Sequence, residues 1–198
     1  MKKLHQRGFA VYEVLLVLIV IGVIAAIGFG VAKQKGRTLV YASPTQKTVA
    51  VSGVKITLPS GWAQIATQQG DIADFTDTNA NYAVADVGGT PQTLVPTIQI
   101  ASSPTGSTDL AATLTSVTNY NAAHLTSYKL EDTETLSLGG VPAHLVAYSF
   151  SQGNIHATSA ELITIKGSTT YYVNAESLAS VWAQHGQAMT NALTSFQP

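Results

Sequence analysis

The sequence predicts an α+β protein: an N-terminal transmembrane helix followed by an antiparallel β-sheet domain with two covering helices. Three observations carry this expectation. Phe9 to Ala32 is an apolar run of 24 residues interrupted by one charge, Glu13. From Thr48 onward short alternating runs are punctuated by Gly, Pro, Ser and Asn turns. Two later segments carry apolar residues at three- and four-residue spacing.

The chain divides into a basic leader (1–8), a hydrophobic segment (9–36), a linker (37–48) and an exported domain (49–198). As a helix the apolar run would span roughly 36 Å, enough to cross a hydrocarbon core with some tilt. Lys2, Lys3 and Arg7 precede it; Lys33, Lys35 and Arg37 follow it, so charge asymmetry orients it only weakly. Gly36 is a helix stop, and Pro44 soon follows. Gly22, Ala26 and Gly30 recur four apart, which lets helices approach closely in lipid.

In the domain, Val49 to Leu58 contains the alternating set Val54, Ile56 and Leu58 and ends at Pro59-Ser60-Gly61-Trp62. Ala73 to Phe75 and Tyr82 to Val87 are shorter strands. Leu94 to Ala101 contains Pro96, which points to a sheet edge. Ser107-Thr108-Asp109 opens a helix that runs to Leu125, with Leu110, Leu114, Val117 and Tyr120 on one face. Thr133–Leu138 and Val141–Phe150 flank Gly139-Gly140, a hairpin signal. His156–Ile165 and Thr169–Val173 complete a four-strand meander. Glu176 to Phe196 is read as the closing helix, with Leu178, Val181, Trp182, Met189, Leu193 and Phe196 on its buried face.

Composition excludes several function classes. The chain has no cysteine, so disulfides, thiolate metal sites and cysteine nucleophiles are absent. From Thr38 onward there are four Lys against ten Asp and Glu, a field that repels phosphate backbones and disfavours direct nucleic-acid binding. Charged residues make up only 11% of the chain, which suits an extracytoplasmic protein.

The leader admits three readings. It is a plain signal anchor, a secretory signal cut near Gly30-Val31-Ala32, or something more specific. The stretch KKLHQRGFAVYEVLLVLIVIGVIAAIG resembles the N-terminus of type IV pilins and pseudopilins. That resemblance implies cleavage between Gly8 and Phe9 by a prepilin peptidase, then N-methylation of Phe9. It also gives Glu13 a partner, the N-terminal amine of a neighbouring subunit; a buried charge is tolerable when paired and costly alone. The partners it implies are the peptidase, other pilin subunits and a bacterial or archaeal cytoplasmic membrane, with the domain outside. The early stop at Gly36 fits a minor subunit. The order of elements in the domain, with Leu-Pro-Ser-Gly-Trp early and Leu-Gly-Gly-Val-Pro-Ala in the meander, is similar to the PsbP-like fold. A membrane-tethered binding module of that fold is therefore the alternative to a filament subunit.

Catalytic constellations are sparse. His124, His144, His156 and His185 lack the spacing of a compact metal site, and no metal or cofactor is expected. Asp71, Asp74 and Asp77 depart from a calcium-loop pattern and read as a loop of solvated aspartates. Glu131, Asp132 and Glu134 read as a solvated strand edge, and Trp62 and Trp182 as core. No Gly-x-Ser-x-Gly, phosphate loop or dinucleotide fingerprint occurs, and no enzymatic activity is expected.

Overall fold

The computed structural model describes residues 45–68, 70–78, 84–87, 90–93 and 95–198. Its strands are β1 (Lys47–Val51), β2 (Val54–Leu58), β3 (Trp62–Ile65), β4 (Asp71–Asp77), β5 (Val84–Val87), β6 (Thr90–Thr93) and β7 (Thr97–Pro104). Helix α1 (Leu110–His124) follows, then β8 (Thr126–Leu138), β9 (Val141–Gln152), β10 (Ile155–Lys166), β11 (Thr169–Leu178) and helix α2 (Ala179–Thr194).

The expected fold class is corrected on one element. Among the described residues no helix is long and apolar enough to cross a membrane. What they form is mostly antiparallel sheet with two helices. The leader 1–8, the hydrophobic segment 9–36 and most of the linker 37–48 lie outside the described residues.

Seven strands make one sheet in the order β3-β4-β7-β11-β10-β9-β8, each pair antiparallel. The hairpins β1–β2 and β5–β6 are separate two-stranded sheets. Strands alternate their side chains between faces, so the sheet has two unlike sides. On one, Phe75, Ile98, Ile100, Leu145, Leu162, Val173 and Ala175 are buried against Val54, Ile56 and Leu58 of β2 and Met189, Leu193 and Phe196 around α2. A backbone bridge from Lys55 to Gln197 ties the chain end to β2. On the other side α1 lies over β8, β9 and β10, with Val117 and Leu125 against Val146, Tyr148, Phe150 and Ile163. Complete burial of a side chain of this size is worth about 1.5–3 kcal/mol.

Local chemistry explains the element limits. Asp109 caps α1 by accepting from the backbone N–H of Ala111 (2.9 Å) and Ala112 (3.1 Å). Within α2, Gly186 leaves room for the Trp182 indole: a Cβ there would stand 2.5 Å from its Nε1. Trp182 thereby packs along the helix against the core. The stretch Val49–Leu58 is two strands rather than one, because Ser52 and Gly53 turn with φ of 48° and 87°.

Three further expectations change. Strand β7 is interior, between β4 and β11, not an edge. Pro96 precedes it and offers only its carbonyl, which accepts from Thr76 Oγ1 at 3.0 Å, so no ladder donor is lost. The aspartates Asp71, Asp74 and Asp77 lie on β4, not in a solvated loop, and Asp74 and Asp77 are buried. Glu176 belongs to β11, since the strand continues to Leu178 before α2 begins. Edge strand β8 carries the exposed Glu131, Asp132 and Glu134, with two register shifts in its pairing to β9 and a positive φ at Ser127.

Candidate functional site

The residues singled out for processing and assembly, Gly8, Phe9, Glu13, Gly22, Ala26 and Gly30, lie outside the described residues. The four histidines do not converge. His124 stacks on Tyr120 with ring centroids 3.9 Å apart, and its Nδ1 lies 2.8 Å from the Tyr120 carbonyl. His144 meets Thr135 across β8–β9, and His156 meets Ser151 across the β9–β10 turn. His185 sits on α2. Among the described residues no group of three or more His, Cys, Asp or Glu is placed to hold a metal.

The unexpected feature is a polar band on the α1 side of the sheet. Antiparallel register makes Glu161 of β10, Asn174 of β11, Gln99 of β7 and Asp74 of β4 successive cross-strand neighbours. Beside them runs a second row: Tyr148 of β9, Ser159 of β10, Glu176 of β11, Thr97 of β7 and Thr76 of β4. Each residue faces the same side because each partner in a register pair shares its face. The reverse face at these strands is the apolar core described above. The band therefore occupies the centre of a large sheet, where packing would favour apolar side chains.

Glu161 and Glu176 are each 3% exposed, Asp74 2% and Gln99 5%. A buried carboxyl is costly as an anion unless paired. Asn121 of α1 reaches down to hydrogen-bond Glu161, and Asn174 does the same for Glu176. These contacts do not offset burial, which pushes Glu161 up to about 7 and Glu176 up to about 8. Asp71, half-buried at the solvent end of the band, is pushed up to about 8 by burial first and then by Asp74, with which it shares a hydrogen bond. Asp74 Oδ2 also accepts from the Gln68 N–H at 2.7 Å. Burial and the nearby Glu161 hold the Tyr148 and Tyr128 hydroxyls neutral by raising them above the usual phenol range. Ser159 Oγ donates to Asn174 Oδ1 at 2.6 Å and lies 3.0 Å from the Ala175 carbonyl.

Among the described residues, Glu176 Oε1, Gln99 Oε1 and Tyr128 OH meet no hydrogen-bond partner. Such groups are rare in folded proteins, and each one left dry costs about 1–3 kcal/mol. Cations that would pair with the carboxyls lie elsewhere. Lys47 and Lys55 belong to the β1–β2 hairpin, Lys129 pairs with Glu131 at 2.7 Å, and Lys166 bonds the Pro198 carbonyl. Residues 45–198 contain no arginine. Chemically the band offers acceptors that titrate close to neutrality and a central amide, with no nucleophile–base pair and no metal-holding group among the described residues.

Sequence reasoning missed this site. Glu161 falls within an expected strand, Gln99 within an expected edge, and Glu176 at the start of an expected helix. The alternation Tyr172-Asn174-Glu176 against Val173-Ala175 was the signal available.

No family model and no curated protein matches the chain. Solved structures do share its fold. CyanoP, the PsbP protein of the cyanobacterium Synechocystis, superposes with a TM-score of 0.54 at 14% identity, covering 82% of this chain and 98% of CyanoP. LpqN of Mycobacterium tuberculosis, described as involved in cell envelope biogenesis, gives 0.56 at 17% identity over 86% of this chain and 95% of LpqN. PA94 of Pseudomonas aeruginosa, of unknown function, gives 0.55 at 13% identity over 77% and 96%. At these identities the likeness establishes the PsbP-like fold and nothing finer.

Proposed function

We propose that the chain is an exported binding module of PsbP-like fold that holds a small polar ligand on the α1 side of its sheet. The observation that carries this reading is the buried, incompletely paired polar band in a position where stability alone favours apolar residues. Perturbed titratable groups gathered on one face are a mark of functional sites. Proteins retain such a cost where a ligand repays it. The low charge and absence of cysteine agree with export, as does the basic-flanked apolar run at the N-terminus. The filament-subunit reading rests on Gly8, Phe9 and Glu13, outside the described residues, and none of the structural neighbours supports it.

Native mass spectrometry of the protein isolated from its own cell envelope tests the reading. A bound small molecule present on the wild type and lost from Glu176→Gln or Gln99→Leu is the expected result. All three proteins appearing only at their own unliganded masses would overturn it.

A further inference from the structure

Resting on the binding-module reading, we infer that the ligand is a linear aliphatic polyamine laid across the strands, one ammonium at Glu161 and Glu176 and another at Asp71 and Asp74. Two independent features point to this chemistry. The first is the disposition of charge. One carboxyl pair lies on β10 and β11 and the other on β4, with β7 between them. Neighbouring strands are about 4.8 Å apart and residues about 3.4 Å apart along a strand, so Glu176 and Asp74, two strands and one row apart, stand at backbone positions about 12 Å apart and Glu161 and Asp74 about 14 Å apart. A ligand with cations at two ends matches this division; a single ion does not span it.

The second feature is the unmet acceptor between the two ends. Gln99 Oε1 on β7 is buried and meets no partner among the described residues, as does Glu176 Oε1. The Gln99 amide oxygen only accepts, and Glu176 becomes a pure acceptor once a cation displaces its proton, so the missing groups are donors. An ammonium at each end and a secondary amine in the middle supply donors at the required places.

Proton linkage gives the inference a signature. Glu161, Glu176 and Asp71 hold protons up to about 7, 8 and 8 respectively. Among the described residues the other titratable groups facing them are Tyr148 of β9, Tyr128 of β8 and Asp74 of β4; α1 contributes the non-titrating Asn121, and β5, which packs against β10, carries Asp86. A cationic ligand must displace the carboxyl protons, so affinity rises as pH approaches 8 and falls toward pH 5.

Isothermal titration of the full chain with spermidine at pH 6, 7 and 8 tests this. 1,3-Diaminopropane and Mg²⁺ serve as short and compact dications, and Glu176→Gln and Gln99→Leu as variants whose folding is checked by circular dichroism. The expected result is one spermidine per chain, affinity at least tenfold higher at pH 8 than at pH 6, and at least tenfold weakening in each variant. No binding at millimolar spermidine would overturn the inference. So would unchanged affinity in both variants, or equally tight binding of Mg²⁺ and the short diamine. If spermidine fails while envelope-derived protein still carries a molecule lost from Glu176→Gln, the ligand class is wrong and the module reading stands. If neither is seen, both fall.

Discussion

Replacing Glu176 with glutamine is expected to stabilise the folded protein, and only at neutral and alkaline pH. The amide has the shape of the protonated carboxyl and cannot ionise. In the wild type the folded-state value, about 8, lies above the ordinary 4.5. Between those values the folded state binds more protons than the unfolded chain, so stability falls as pH rises. The loss is absent below about pH 4.5 and complete above about pH 8. At about 1.4 kcal/mol per pH unit, the interval gives an upper bound of about 5 kcal/mol. Relaxation and water entry around a buried ion reduce this, so the gain for Glu176→Gln at pH 8 is set at about 2–4 kcal/mol, with almost none at pH 5. Urea unfolding followed by the fluorescence of Trp62 and Trp182 measures it. With a slope of about 2 kcal/mol/M, the midpoints separate by about 1–2 M at pH 8 and converge at pH 5. A separation that stays constant from pH 5 to 8 would refute the reasoning, since the ionisation of Glu176 would then not be what the substitution removes.

Other perturbations probe neighbouring parts of the argument. Asp74→Asn removes the second cause of the raised Asp71 value while leaving burial in place; an NMR titration of Asp71 is expected to move down from about 8 without reaching 3.8. Asp109→Ala deletes the α1 cap and costs about 1 kcal/mol, a fall in Tm of about 2–4 °C; an unchanged Tm would mean the cap is dispensable. Gly186→Ala sets a helix-propensity gain of about 1 kcal/mol against displacement of the Trp182 indole, which overpacking costs put at about 1–3 kcal/mol. The expected net effect is a loss of about 1 kcal/mol with a shifted Trp182 emission; a rise in stability would show that the indole yields freely.

Elements defined by local chemistry were legible in the sequence. Gly139-Gly140 announced its hairpin, and Asp109 announced its helix, because turn geometry and capping depend on adjacent residues. Elements defined by distant partners were not. Pro96 marked an edge by rule, yet β7 starts one residue later and keeps its ladder intact. Asp71, Asp74 and Asp77 looked solvated because isolated carboxylates usually are; their burial depends on β7 and β3 arriving on either side. Glu176 was lost to the helix because Leu178, Val181 and Trp182 fit a helical spacing that starts just beyond it. The whole candidate site shares this origin: it is assembled from five strands, and each contributes one to three polar residues unremarkable alone.

The sheet ends in two different ways, and both bear on how copies of the protein meet. On one margin β3 has only four residues. On the other, β8 is long, but its register shifts, the positive φ at Ser127 and its charged side chains break the row of backbone groups a neighbour would need. Neither margin templates a further strand. The protein is thus guarded against edge-to-edge aggregation at high local concentration, and any ordered array it joins must be held by surfaces other than the sheet's hydrogen-bonding edges.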